Sequence, residues 1–184
     1  LGKEKYVGIN IKFAIQDKPL GLPDGISKGM EVSNCKFNQV ILGDNFLYGR
    51  EIFKLIENDI YLLKPKIYIQ RVKDTKHFGV VEIDLNEKII NIIEKPKINK
   101  DNYFAITGVY LIDNNFSEYF KLLSPSERGE FEIIDILKNY LINDNLDFTK
   151  LGRGTAWFDM GSYSDFLMTS NFVSTIQTKQ NILI

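Results

Sequence analysis

Asp44 is placed where chemistry is to be expected. Val40, Ile41 and Leu42 form a short apolar run that stops at Gly43-Asp44-Asn45, which predicts a buried strand followed by a turn. In an open α/β sheet, ligands gather beyond the carboxyl ends of the strands. A carboxylate at that point, with no Lys or Arg close to it in sequence, suits a hard cation such as Mg²⁺. The alternative is an Asx-turn in which Asp44 only shapes the backbone.

The elements that must position this turn alternate along the chain. Ile9, Ile11, Phe13 and Ile15 occupy every second position and predict a half-buried strand ending at Gln16. Pro23 opens a helix through Val32, weakened by Gly25 and Gly29. After the Asp44 turn comes a helix with Phe53, Leu55 and Ile56 inward, then a strand over residues 65–72 with Ile67 and Ile69 inward. Residues 78–84 and 89–93 flank Leu85-Asn86-Glu87-Lys88 and predict an antiparallel hairpin running into Glu94-Lys95-Pro96. A long strand over residues 103–112, interrupted by Gly108, leads to a helix over residues 115–123. Phe131, Ile134, Leu137 and Leu141 recur at helical spacing. A short strand over residues 148–152 and a strand end at Ala156-Trp157-Phe158-Asp159 follow. Ser162 with Asp165 forms a capping box for a last helix with Phe166, Val173 and Ile176 inside. Alternating strands and helices with one hairpin mean an α/β fold on a mixed sheet.

Composition narrows the function classes. The 184 residues suffice for one domain with a sizeable core. A net charge of −1, from 23 basic and 24 acidic residues, leaves no electrostatic footprint for nucleic acid or an anionic membrane. No apolar run reaches the roughly 18 residues that span a bilayer. The single cysteine, Cys35, excludes an internal disulfide and reads as a reduced, partly buried thiol. A cytoplasmic protein is expected.

Leu42-Gly43-Asp44-Asn45, Phe78-Gly79-Val80-Val81-Glu82, Glu94-Lys95-Pro96, Thr107-Gly108-Val109-Tyr110, Arg128-Gly129-Glu130, Gly152-Arg153-Gly154 and Ala156-Trp157-Phe158-Asp159 follow one another in a telling order. Together they resemble the sugar-phosphate nucleotidylyltransferases, and among them the bacterial glucose-1-phosphate thymidylyltransferases. The resemblance implies a single nucleotidyltransferase domain over residues 1–184, with a Rossmann-like mixed sheet and a β-hairpin excursion. It implies transfer of a thymidylyl group from dTTP to α-D-glucose 1-phosphate, giving dTDP-glucose and pyrophosphate at the head of dTDP-rhamnose and deoxysugar synthesis. It also implies Mg²⁺ as cofactor and a homotetramer.

The residue types suit such a reaction. An anionic phosphate must attack another anionic phosphate in line, so the obstacle is charge repulsion and no general base is required. By resemblance, Asp44 and Asp159 hold the metal, and Lys95 and Arg128 complete the catalytic set. Gln16, Pro19, Gly21 and Leu22 read the nucleotide base; a side-chain amide suits thymine or uracil only when its orientation is pinned. Gly79, Glu94, Lys95 and Ile106 take the sugar phosphate, Glu94 through hexose hydroxyls and Lys95 through the phosphate. Plainer roles stand beside these: Asp159 as an acid flanking a helix, Glu94-Lys95 as an exposed strand end, Arg128 as a solvated cation, Trp157 as core. His77 is expected at the surface.

Three departures from the family pattern carry expectations. Phe78 stands where tyrosine is usual, which removes a hydroxyl that could reach the sugar. Tyr103-Phe104 carries an extra residue, which predicts a bulge there. The family's opening strand and Gly-rich loop have no counterpart before Leu1, so the domain is expected to be incomplete at its N-terminus, and also shortened after Asn181. A non-catalytic nucleotide- or sugar-phosphate-binding fragment, and an enzyme using UTP or another sugar, are the alternatives. A metal-dependent glycosyltransferase would carry an Asp-x-Asp at a strand end, and none stands in a suitable context.

Overall fold

The computed structural model describes residues 10–184. Its elements run α1 (Leu22–Ser33), β1 (Phe37–Ile41), β2 (Asn45–Tyr48), α2 (Ile52–Leu62), β3 (Lys66–Gln70), β4 (Gly79–Ile83), β5 (Ile89–Glu94), β6 (Tyr103–Asp113), α3 (Asn115–Lys121), α4 (Ile133–Ile142), β7 (Asp147–Lys150), β8 (Ala156–Asp159) and α5 (Tyr163–Gln180). The sheet is mixed, as its hairpin predicts: the order is β5-β4-β6-β3-β7, β3·β7 alone is parallel among the described residues, and β1 also pairs with β6.

The long strand β6 organises the site. β3 follows one edge of it from Ala105 to Leu111. The other edge is divided: β4 pairs with Tyr103 to Ala105, and β1 with Val109 to Asp113. Between them, at Ile106-Thr107-Gly108, that edge has no strand partner among the described residues and the sheet splits. A separate antiparallel ladder, β2·β8, joins Asn45 to Asp159 and Tyr48 to Ala156.

Both faces of the sheet are covered, which explains why β3 is buried from Lys66 to Ile69 without alternation. Ile67, Ile69, Tyr110 and Ile112 pack under α1, α3 and α4 with Met30, Phe116, Ile134 and Leu137. Tyr68 and Val109 face the other way, against Ile52 and Ile56 of α2, with Leu47 and Trp157 alongside. Fully burying each such aliphatic side chain contributes about 1.5–3 kcal/mol.

Several expectations need correcting. Ile11, Phe13 and Ile15 are 52%, 72% and 79% exposed and form no strand, because no neighbouring strand offers them a ladder among the described residues; Ile9 lies outside those residues. In α2 the buried stripe is Ile52, Ile56 and Asp59, so Phe53 points outward. Phe166 of α5 is likewise exposed; Val173 and Ile176 are half-buried, and Phe172 is the ring that packs, 5.0 Å from Phe158 and 5.5 Å from Tyr48. Cys35 is exposed. The β4·β6 register is continuous through Tyr103 and Phe104. The irregularity lies further on, where the pairing steps from Ile67↔Tyr110 to Ile69↔Ile106. There the Thr107 hydroxyl donates to the Tyr68 carbonyl at 2.9 Å and fastens the bowed segment. The N-cap half of the capping box is present: Ser162 Oγ accepts the Asp165 N–H at 3.1 Å, while the Asp165 carboxylate accepts from the Ser162 hydroxyl in place of its backbone N–H.

A candidate active site at the split in the sheet

The chain leaves β1 at Leu42, whose N–H donates to the Gly108 carbonyl at 2.9 Å, and turns so that Asn45 N–H reaches back to the Leu42 carbonyl at 3.1 Å. Asp44 therefore projects at the gap in β6. Asp159 ends β8 directly opposite Asn45, and Met160 N–H donates to the Asp44 carbonyl at 2.8 Å. The two aspartates, 115 positions apart in sequence, are thus held at one corner by backbone bonds.

Their electrostatics are those of an uncompensated pair. Neither forms an ion pair among the described residues. Burial holds the Asp159 carboxyl above the usual carboxylate range; the Gly161 N–H, donating at 3.0 Å, works against this, and the negative charges of Asp44 and Asp165 add to it. Beneath them burial pushes the Tyr110 phenol up, and the fields of Glu94, Asp44 and Asp159 push the same way. Three carboxylates thus act on one buried hydroxyl. Among the described residues there is no cluster of three or more His, Cys, Asp or Glu able to hold a metal. The aspartate pair fits a cation that takes one or two carboxylates and fills its remaining positions with water and phosphate oxygens, as Mg²⁺ does.

Asn45 joins the parts, a role its sequence context hides because Gly-Asp-Asn reads simply as a turn. Its Oδ1 accepts from Trp157 Nε1 at 2.6 Å and from Gly108 N–H at 3.0 Å, while its Nδ2 donates to Asp44 Oδ1 at 2.9 Å. Two donors on the oxygen fix the amide's orientation and aim its NH₂ at the carboxylate. Trp157 in turn packs against Phe78 with ring centroids 5.3 Å apart and the planes tilted by 55°. A Cβ at Gly108 would lie 2.5 Å from Asn45 Cγ, so only glycine leaves room for this amide. Gly108→Ala is therefore expected to displace Asn45, release the indole N–H and lower turnover about tenfold through Asp44 misplacement. Trp157 is the only tryptophan, so its fluorescence reports the displacement directly.

Around this corner lie three cavities. The cleft of about 660 Å³ is lined by Gln70, Phe78, Trp157, Asp159, Ser162 and Asp165, among others. The exposed His77 also borders it. A second, of about 500 Å³, is lined by Glu94, Lys95, Arg128 and Glu132 with Ser126 and Glu127. Lys95 Nζ lies 3.6 Å from Glu94 Oε1, and Lys95 holds a left-handed backbone, φ 43°, a strained state that clusters at functional sites. Arg128 Nη2 donates to Glu132 Oε1 at 2.8 Å on an exposed side chain, an ion pair loose enough to exchange for a phosphate. Gly79 opens β4 opposite Glu94; a Cβ there would sit 2.6 Å from Ile134 Cδ1. Ile106 lies in the main core and forms the floor rather than the lining.

The third cavity, about 440 Å³, runs between α1 and β1 from Leu22 to Gly43. Gly21 has φ 101°, and a Cβ on it would meet the Phe131 carbonyl at 2.3 Å, so this turn requires glycine. Phe131 N–H donates to the Leu20 carbonyl at 2.8 Å and ties the loop to the approach of α4. Pro19 is exposed, and Gln16 lies outside these cavities, its Nε2 donating to Asp24 Oδ2 at 2.8 Å and to the Gly21 carbonyl at 3.2 Å. The structure thus groups Asp44 with Asp159, and Glu94 with Lys95 and Arg128, and leaves Gln16 on an outer loop.

The sheet splits around a carboxylate pair, with Glu94, Lys95 and Arg128 lining a cavity beside it, and residues 1–176 match the nucleotidyl transferase family, to which the chain belongs. Among its relatives are a glucose-1-phosphate thymidylyltransferase of Xanthomonas campestris pv. campestris, 35% identical over the whole chain, and one of Neisseria gonorrhoeae, 37% identical. The chain spans 62% and 64% of those relatives' lengths. A solved Bacillus anthracis structure carrying the same enzyme name, in complex with sucrose, is 34% identical with a TM-score of 0.75, covering 90% of this chain and 66% of its own. A UDP-glucose pyrophosphorylase complexed with UDP-glucose shares the fold at 19% identity, with a TM-score of 0.75, covering 87% of this chain and 64% of its own.

Proposed function

We propose that this protein transfers a thymidylyl group from dTTP to α-D-glucose 1-phosphate with release of pyrophosphate, using Mg²⁺. The observation that carries the reading is the couple of an exposed Asp44 and a half-buried Asp159, without a cationic partner among the described residues, at the split in β6, beside a cavity holding Glu94, Lys95 and Arg128. The names of the relatives support the choice of nucleotide and sugar.

An oxygen of the sugar phosphate forms a bond to the α-phosphorus of the triphosphate while the bond from that phosphorus to the bridging oxygen breaks, and pyrophosphate leaves. Asp44 and Asp159 would hold the metal, which when bound neutralises phosphoryl charge. Lys95 and Arg128 fix the attacking phosphate, and Glu94 accepts from hexose hydroxyls. No side chain needs to take a proton from the attacking phosphate, already an anion at neutral pH. The reading extends to a cytoplasmic homotetramer whose product enters deoxysugar synthesis. Coupled detection of pyrophosphate from the full-length protein is expected to show turnover with dTTP and glucose 1-phosphate that stops when the divalent cation is chelated. Absence of turnover with both dTTP and UTP would overturn the reading.

Base selection follows from Gln16. A carboxylate only accepts hydrogen bonds, so Asp24 Oδ2 at 2.8 Å forces the Nε2 end of Gln16 toward itself and leaves Oε1, on the Gly25 side of α1, as the acceptor. That acceptor complements the ring N3–H of thymine or uracil and meets the lone pair of cytosine N3 unfavourably. Asp24→Asn frees the amide to rotate, and the preference for dTTP over dCTP is expected to fall about tenfold, the worth of one hydrogen bond, in competition measurements of kcat/KM.

A further inference from the structure

Gln70 ends β3 and stands half-buried in the 660 Å³ cleft, near Asp159 and Phe78. Its carboxamide oxygen is buried and has no hydrogen-bond partner among the described residues. Buried polar groups are nearly always paired, so an exception that lines a cleft calls for an explanation. Of the other groups lining the cleft, the indole and the serine hydroxyl are already engaged, and the exposed His77 makes no bond to that oxygen. Trp157 Nε1 is given to Asn45 at 2.6 Å. Ser162 Oγ is taken by Asp165, accepting its N–H at 3.1 Å and donating to its carboxylate at 2.5 Å. Phe78 offers no polar side-chain atom. Its carbonyl, however, accepts from Lys95 N–H at 3.1 Å, so Phe78 forms the partition between this cleft and the cavity of Glu94 and Lys95.

We propose that Gln70 hydrogen-bonds a hydroxyl of the hexose in the sugar-phosphate substrate and thereby sets which hexose is accepted, an inference that rests on the reaction proposed above. The chemistry points to a hydroxyl. A phosphate oxygen has no proton to give a carbonyl, and the negative Asp159 beside the site opposes a bare anion. A hydroxyl both donates and accepts, so it satisfies whichever end of the carboxamide faces inward. The residue escapes a sequence reading because a polar side chain closing a strand looks like an ordinary strand end.

The test titrates α-D-glucose 1-phosphate and its singly deoxygenated analogues into the full chain and into Gln70→Leu, with melting temperatures recorded for both. Gln70→Leu is expected to bind glucose 1-phosphate about tenfold more weakly, with the difference vanishing for the one analogue that lacks the contacted hydroxyl. Because leucine removes an unsatisfied buried oxygen, the melting temperature should stay or rise, which a structural role would not produce. Gln70→Asn keeps the amide and withdraws it by one methylene, and gives the same comparison if leucine is not tolerated. Equal affinity in wild type and variant, or a uniform loss across all analogues, overturns the role of Gln70 while leaving the proposed reaction intact. Failure of the wild-type chain to take up any of these sugar phosphates removes the reaction's own requirement, and the inference falls with it.

Discussion

Asp159→Asn is expected to lower pyrophosphate release by about 10²- to 10³-fold, the scale seen when one preorganised group facing developing charge is removed, and to leave the protein at least as stable as before. Both halves of this expectation come from the same geometry. Asp159 is partly buried, faces the negative charge of Asp44, and has no cationic partner among the described residues. Asparagine keeps the shape and the acceptor for the Gly161 N–H while it removes one of two repelling charges. An ordinary structural acid would behave oppositely, because loss of its charge would lower the melting temperature and spare turnover. Asp44→Asn should act alike, and the double variant should lose little more than either single one, since the two carboxylates act as a unit. Pyrophosphate kinetics at saturating divalent cation, paired with thermal unfolding without it, separate the two cases.

The second large effect concerns folding rather than turnover. Lys66→Met is expected to destabilise the fold by about 3–5 kcal/mol, the magnitude associated with stranding one partner of a buried ion pair. Lys66 Nζ lies 2.6 Å from Asp59 Oδ1, with the two side chains 6% and 10% exposed. Thr149 donates its hydroxyl to Asp59 Oδ2 at 2.9 Å, and Asp147 stands 3.7 Å from the ammonium. These bonds pin α2 to β3 and β7 on the face opposite the main core. Asp59 is negative enough in this setting to add to the burial that pushes the Tyr68 phenol up. Removing both charges together, as Asp59→Leu with Lys66→Met, should recover most of the loss, because a well-packed apolar pair is often as stable as the buried ions it replaces. Urea denaturation curves with an unchanged slope would confirm that the native state alone has been altered.

The same ion pair shows where sequence patterning reaches its end. The stripe of α2 is phased on Ile52, Ile56 and Asp59, because Lys66 draws an acid inward; apolar spacing alone puts Phe53 there instead. The hairpin and the long β6 were legible because their periodicities are long and strong; of the α4 stripe only Ile134 and Leu137 are buried as expected, since Phe131 precedes the helix and Ile136 and Tyr140 complete its inner face. β2 was not, since Asn45-Phe46-Leu47-Tyr48 follows a turn and its partner β8 lies more than a hundred residues away. Ile11, Phe13 and Ile15 carry a strand's alternation without the neighbour that a ladder needs. At the site, Asp44 and Asp159 were readable from the order of their motifs. Asn45 and Gln70 were not, because their parts depend on a bowed strand and a buried oxygen that no spacing rule encodes.

The divided edge of β6 has a consequence for how such a protein can diversify. The hairpin that carries Glu94 pairs with one end of the strand, and β1, which leads into the Asp44 turn, pairs with the other. Each end can be remodelled with the strand between them acting as a fixed gauge, about 3.4 Å per residue. Under the proposed reaction, appetite for a new hexose is free to drift at the hairpin while the phosphoryl chemistry stays where it was.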